Sequence, residues 1–77
     1  MGHRPFAMPL FLRLDSVANY CANSPWEALE YLDLHWRGPR TARFQRARSV
    51  CQLAIDGWVD AEVARDAVVA AAREAGL

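Results

Sequence analysis

Five arginines, Arg37, Arg40, Arg43, Arg46 and Arg48, make up the densest chemical feature of this 77-residue chain. A guanidinium is a planar fork of donors suited to phosphate or carboxylate. A helix carrying such a cluster can lie along a nucleic-acid backbone, with affinity that falls steeply with salt. At ~100° per residue, however, Arg40, Arg43 and Arg46 spread over about 120° along one edge of a helix, and Arg48 falls on the other side. The cluster is therefore split between two faces. The competing reading places Arg37 and Arg40 near the C-terminal carbonyls of one helix, where they pair with its acids or with a later helix. Nine arginines against nine Asp plus Glu, with no lysine, leave a net charge of zero. That balance favours internal pairing over phosphate binding.

Other residue types offer less. Cys21, Cys51, His3 and His35 are the soft or imidazole ligands, and no two share the two-to-four-residue spacing of a zinc site. Both cysteines read as reduced thiols, with Cys51 on the apolar face of a helix as a small hydrophobe. Ser16, Ser24 and Ser49 lack a base placed to activate them, and a buried Cys51 stays protonated. Asp60, Glu62 and Asp66 cluster where a helix N-terminus favours acids. No glycine-rich phosphate loop is present. Three short helices rarely enclose a catalytic cleft. The expectation is a protein without enzymatic activity, metal or cofactor.

The elements that position these residues are strongly punctuated. Ser24-Pro25-Trp26-Glu27 is a capping box with proline at the first helical position, and Glu27 sits three residues after the Ser24 cap. Gly38-Pro39 reads as the end of this helix and the start of the next. Gly57 closes the second helix, Asp60 caps the third, and Gly76 ends it. The predicted helices are about 25–36, 40–56 and 61–75. Leu29, Leu32 and Trp36 recur at helical spacing in the first. The arc of the second is Phe44, Ala47, Val50, Cys51, Ala54 and Ile55. The third presents Ala64, Ala67, Val68, Ala71 and Ala75. Such a small face lets a neighbour approach closely, so bulk must come from opposite, from Trp36, Phe44, Leu29, Leu32 and Trp58.

Before the helices, Leu10–Leu14 and Val17–Cys21 are two short apolar runs separated by the turn-forming Asp15-Ser16. They read as a β-hairpin or two extended pieces over 10–21, and residues 1–8 as a flexible tail. The fold class is thus α+β: a short N-terminal hairpin or extended segment packed on three antiparallel helices. It forms one small domain over 9–77. No export signal is recognisable, and Phe6–Leu14 is interrupted and too short to span a bilayer, so a cytoplasmic protein that avoids membranes is expected.

The order Pro25-Trp26-Glu27-Ala28-Leu29, Trp36, Ala47, Cys51, Gly57, Ala64-Arg65-Asp66-Ala67 and Ala70-Ala71-Ala72-Arg73-Glu74-Ala75-Gly76 resembles a family of small bacterial proteins. That family is known only as a domain of unknown function, numbered 982. The resemblance covers residues 24–77. The chain departs from the family pattern at Arg37, where proline is usual, and at Val68 and Val69, where an aromatic is common. The resemblance implies no activity, and it implies that Trp36 and Arg65 matter beyond this chain's own packing.

A chain of this size buries roughly 60–65% of its unfolded surface and draws only a few kcal/mol from its core. Self-association would add to that. The leading reading is a non-enzymatic protein-interaction module that self-associates or docks on a protein partner. Trp26 and Trp58 are the candidate contacts, since exposed aromatics mark interfaces; the same two residues, with Tyr31, could instead cover the ends of a thin core. The alternative is a small nucleic-acid-associated regulator acting through Arg40, Arg43 and Arg46. Ser24, Glu27, Trp36, Cys51 and Arg65 are read as structural.

Overall fold

The computed structural model describes residues 5–13 and 19–76. Strand β1 (Leu10–Arg13) pairs antiparallel with β2 (Asn19–Ala22), with Phe11 opposite Cys21 and Leu12 opposite Tyr20. Alternation puts Leu10, Leu12 and Ala22 in the core and leaves Phe11, Arg13 and Cys21 exposed. The expected turn residues Asp15 and Ser16 lie outside the described residues, as does His3. Three helices follow: α1 (Pro25–Leu34), α2 (Ala42–Ile55) and α3 (Ala61–Ala75). The molecule is therefore α+β, a two-stranded hairpin followed by three helices.

The capping box forms as its sequence implies. Ser24 Oγ accepts from the Glu27 N–H, and the Glu27 carboxylate accepts from the Asn23 N–H at 2.6 Å. This ties the end of β2 to the first turn of α1 and fixes where the helix leaves the sheet. Gly57 (φ 88°) and Gly76 (φ 76°) adopt the left-handed conformation that ends helices at low steric cost.

The start of α2 differs from expectation. Gly38-Pro39 does not open it. Helix α1 stops at Leu34 with His35 as its C-cap, and Thr41 is the N-cap of α2, its hydroxyl accepting from the Phe44 N–H. Residues 35–41 form a true connection. Gly38 earns its place there by proximity: a Cβ at this position would lie 2.6 Å from the Ala75 Cβ. Asp60 occupies the N-cap position of α3 but makes no side-chain capping bond; its carbonyl accepts from Val63 instead.

Helices α2 and α3 form the most extensive pair. The Thr41 hydroxyl at the start of α2 donates to the Glu74 carboxylate at the end of α3, and Arg43 Nε lies 3.7 Å from the same carboxylate. The Gly57 link joins the opposite ends, so the two helices run antiparallel. Ala64, Val68, Ala71 and Ala72 give α3 a small buried face, while Ala67 and Ala75 are only half-buried. The bulk of the core comes from Phe44 and Leu32, and also from Tyr31, which is fully buried. Trp58 contributes nothing to the core, being 78% exposed. Leu29 and Trp36 are half-buried at its margin. The Trp36 ring packs 5.0 Å from Phe44 and edge-on to Tyr31 at 6.2 Å, and its indole N–H donates to the Pro39 carbonyl.

Of residues 1–8, expected to be a flexible tail, 1–4 lie outside the described residues, and 5–8 lie against the domain. Phe6 is buried, and its N–H donates to the Asn23 carbonyl at 2.7 Å. The Ala7 N–H donates to Glu62, and Arg65 Nε donates to the Met8 carbonyl. An aromatic side chain in the core repays the entropy of ordering a short segment.

Candidate functional site

Helix α2 carries three arginines and no acid, but its cations do not converge. Arg48 Nε is 2.6 Å from Asp33 Oδ1 on α1. Arg43 pairs with Glu74 on α3. The Arg40 guanidinium lies over the Phe44 ring, 5.2 Å from its centroid. Arg46 is exposed, one turn on from Arg43, and has no ion-pair partner among the described residues. Helical phase thus sets Arg48 apart from the rest, and carboxylates from two other helices take up two of the five arginines. The acids engaged are one near the end of α1 and one near the end of α3.

The two thiols differ. Cys51 is fully buried at the α1–α2 seam, and burial, reinforced by the Asp33 carboxylate, pushes its thiol up to about 12. It is protonated and unreactive at neutral pH. Cys21 is exposed on the outer face of the hairpin. Among the described residues no three His, Cys, Asp and Glu side chains are grouped to hold a metal. No helix among them is long and apolar enough to cross a membrane.

Two tyrosines link the hairpin to α1. The Tyr31 hydroxyl donates to the Arg13 carbonyl at 2.6 Å, and the Tyr20 hydroxyl donates to Glu30 Oε1 at 2.8 Å. Burial raises both hydroxyl pKa values; Glu30 raises Tyr20 further, whereas Arg37 partly offsets the shift at Tyr31. The two rings lie tilted to each other with centroids 5.5 Å apart, and the His35 ring sits 5.4 Å from Tyr20.

The feature with the geometry of a contact site lies on the far side of α1. Pro25, Ala28, Tyr31 and Leu32 form its buried face. Trp26 (58% exposed), Leu29, Glu30, Asp33 and Leu34 (70% exposed) line an open cleft of about 240 Å³ on the other face. These residues recur at the i, i+3, i+4, i+7, i+8 spacing of one helical stripe. Sequence reasoning places Trp26 off the core stripe, and the structure agrees. It misses Leu34, which lies eight residues on from Trp26 and therefore on the same side; marking the second stripe on the wheel would have found it. Trp58, the other candidate contact, is exposed in the α2–α3 link, away from this cleft's lining.

Each acid of α1 already has an internal partner. Glu27 serves the cap, Glu30 receives the Tyr20 hydroxyl, and Asp33 pairs with Arg48. Tyr20 is neutral, so Glu30 alone of the cleft acids keeps an uncompensated negative charge.

No curated protein and no solved structure matches the chain. The family model described as "protein of unknown function (DUF982)" matches residues 8–77, and the chain belongs to that family.

Proposed function

We propose that the protein is a non-enzymatic protein-interaction module that binds through the outer face of α1. The observation that carries this reading is the two-sided apolarity of that helix. A helix that is apolar all round is ordinarily covered all round. In α1 the inner face is covered by α2 and the hairpin, while Trp26 and Leu34 stand in solvent on either side of a shallow cleft. Tryptophan at the edge of such a cleft is the residue type that dominates binding energy at interfaces. Its large rigid ring also loses little entropy when it is covered.

Nucleic-acid association through Arg40, Arg43 and Arg46 draws less support. All three are exposed, but Arg43 faces Glu74 at 3.7 Å and Arg40 lies on Phe44, so of the three only Arg46 has no internal contact of this kind among the described residues. One or two phosphate contacts give weak binding at physiological salt.

The test uses a photo-reactive amino acid placed at position 26 of the full chain in its native cell, with position 73 as an exposed control. The expected result is a protein adduct of defined mass from position 26 that position 73 does not give. Equal labelling from both positions, or none from position 26, would sink the reading.

A further inference from the structure

We infer that the occupant of the α1 cleft is a second copy of this chain, seated through the outer face of α2 with Arg46 against Glu30. The inference rests on the interaction reading above and names its partner. Charge segregation within a neutral chain carries it. Helix α1 holds Glu27, Glu30 and Asp33 and no cation, whereas α2 holds Arg43, Arg46 and Arg48 and no anion. Internal pairs cancel Asp33 against Arg48 and leave Arg43 on Glu74. What remains outward is a carboxylate on the cleft of α1, Glu30, and a guanidinium on the middle of α2, Arg46.

The two surfaces also fit in size. The outward face of α2 is made by Ala42, Gln45, Arg46, Ser49 and Leu53, all exposed, with Arg46 the charge at its middle and the exposed Arg43, paired with Glu74, at its edge. Ala42 and Ser49 are small, so a helix carrying Trp26 and Leu34 can approach closely. Leu53 is 41% exposed and lies two turns on from Arg46, where it can meet the apolar lining of the cleft. The aliphatic stem of an arginine covers Leu29 while its head reaches the Glu30 carboxylate.

Charge also decides against the simpler pairing of α1 with α1 of a second copy. Antiparallel packing that sets Trp26 against Leu34 brings residue 30 of each copy together at the two-fold axis, where two carboxylates repel. The α1–α2 arrangement avoids this. Each copy offers both surfaces, so two reciprocal contacts can close a two-fold dimer.

Sedimentation velocity on the full chain, across low to high micromolar concentration and at low and high salt, tests the inference. The expected result is a monomer–dimer equilibrium weakened by salt. Glu30→Arg and Arg46→Glu, each alone, weaken association about tenfold or more, and an equimolar mixture of the two variants restores it. Arg46 has no internal partner among the described residues, so Arg46→Glu reports association without loss of an internal bond; far-ultraviolet circular dichroism checks that both variants fold. A strictly monomeric chain, or a dimer indifferent to both charge reversals, overturns the inference. A monomeric chain that still gives protein adducts from position 26 overturns the second-copy assignment alone and leaves the interaction reading standing. Absence of both the dimer and the adducts removes both.

Discussion

Helices α1 and α3 solve the same problem in opposite ways. Helix α3 gathers Ala64, Val68, Ala71 and Ala72 on one side and leaves Glu62, Asp66, Arg73 and Glu74 exposed on the other, with Val63 its one exposed large apolar side chain. Apart from Val63, 43% exposed, its apolar side chains of any size are covered by the fold. Helix α1 buries Ala28, Tyr31 and Leu32 on one side and exposes Trp26 and Leu34 on the other. Its sequence is satisfied only in part. One helix is finished by intramolecular packing, and the other keeps apolar surface beyond what the core uses. Position in the fold explains how each could diverge. Helix α3 docks on the long helix α2, whereas α1 lies between α2 and a thin hairpin and has a free back.

The sharpest way to test that contrast is to truncate both sides of α1. Tyr31→Ala removes a fully buried ring that touches both the hairpin and Trp36, and it should cost about 3–5 kcal/mol in urea unfolding. Trp26→Ala removes a ring of greater size and should leave stability within about 0.5 kcal/mol. Equal losses would erase the distinction between the two faces.

A substitution at Gly38 asks whether the end of α3 is as tightly fitted as its small residues imply. Gly38→Ala puts a methyl group into the space held by Ala75, and overpacking of this kind should cost about 1–3 kcal/mol by the same measurement. A neutral result would mean that the last turn of α3 gives way easily.

Alkaline pH probes the inner seam of α1 without mutation. The Cys51 thiol is raised to about 12 by burial, above its ordinary value of 9.0, and burial also raises Tyr20. A group raised on folding holds its proton more tightly in the native state. The stabilisation is therefore complete below the unfolded-state pKa and is lost as pH rises through the interval up to the folded value. For the buried Cys51 thiol, stability should fall by roughly 1.4 kcal/mol for each pH unit across that interval. Thiol labelling at neutral pH should modify Cys21 readily and reach Cys51 only on unfolding.

Helix caps give the smallest effects. Thr41→Ala removes the hydroxyl that accepts from Phe44 and donates to Glu74, and should cost about 1 kcal/mol. Asp60→Ala should cost less, because Asp60 makes no side-chain capping bond. Reversal of that order would place the decisive cap on α3.

Much of this architecture can be read from the chain. Ser24, Gly57 and Gly76 punctuate it correctly because each acts through local backbone chemistry. Thr41 is missed because Gly38-Pro39 carries the stronger local signal, and only packing against Ala75 and Glu74 shows that these residues span a gap. The buried state of Tyr31 is hidden for a similar reason. Its hydroxyl looks like a reason to face water, yet the carbonyl that accepts it comes from Arg13 in another element. Phe6 is read as tail because a single aromatic has no periodicity. The candidate site was half legible: Trp26 falls off the core stripe on a wheel, and Arg48 separates from its neighbours by phase. The pairing of Arg43 with Glu74 depends on how α2 and α3 meet and has no signature within either helix.

The bonds from Ala7 to Glu62 and from Arg65 to Met8 join positions 55 and 57 residues apart in sequence. Helices α2 and α3 need only a short loop between them and can form early, whereas this clasp must wait for nearly the whole chain to be in place. Its bonds are exposed, so it should also be the first contact to open in the native state. Hydrogen exchange at the Ala7 amide should then run far faster than at Val68, and the N-terminal strand should come away as a unit while the α2–α3 pair stays closed.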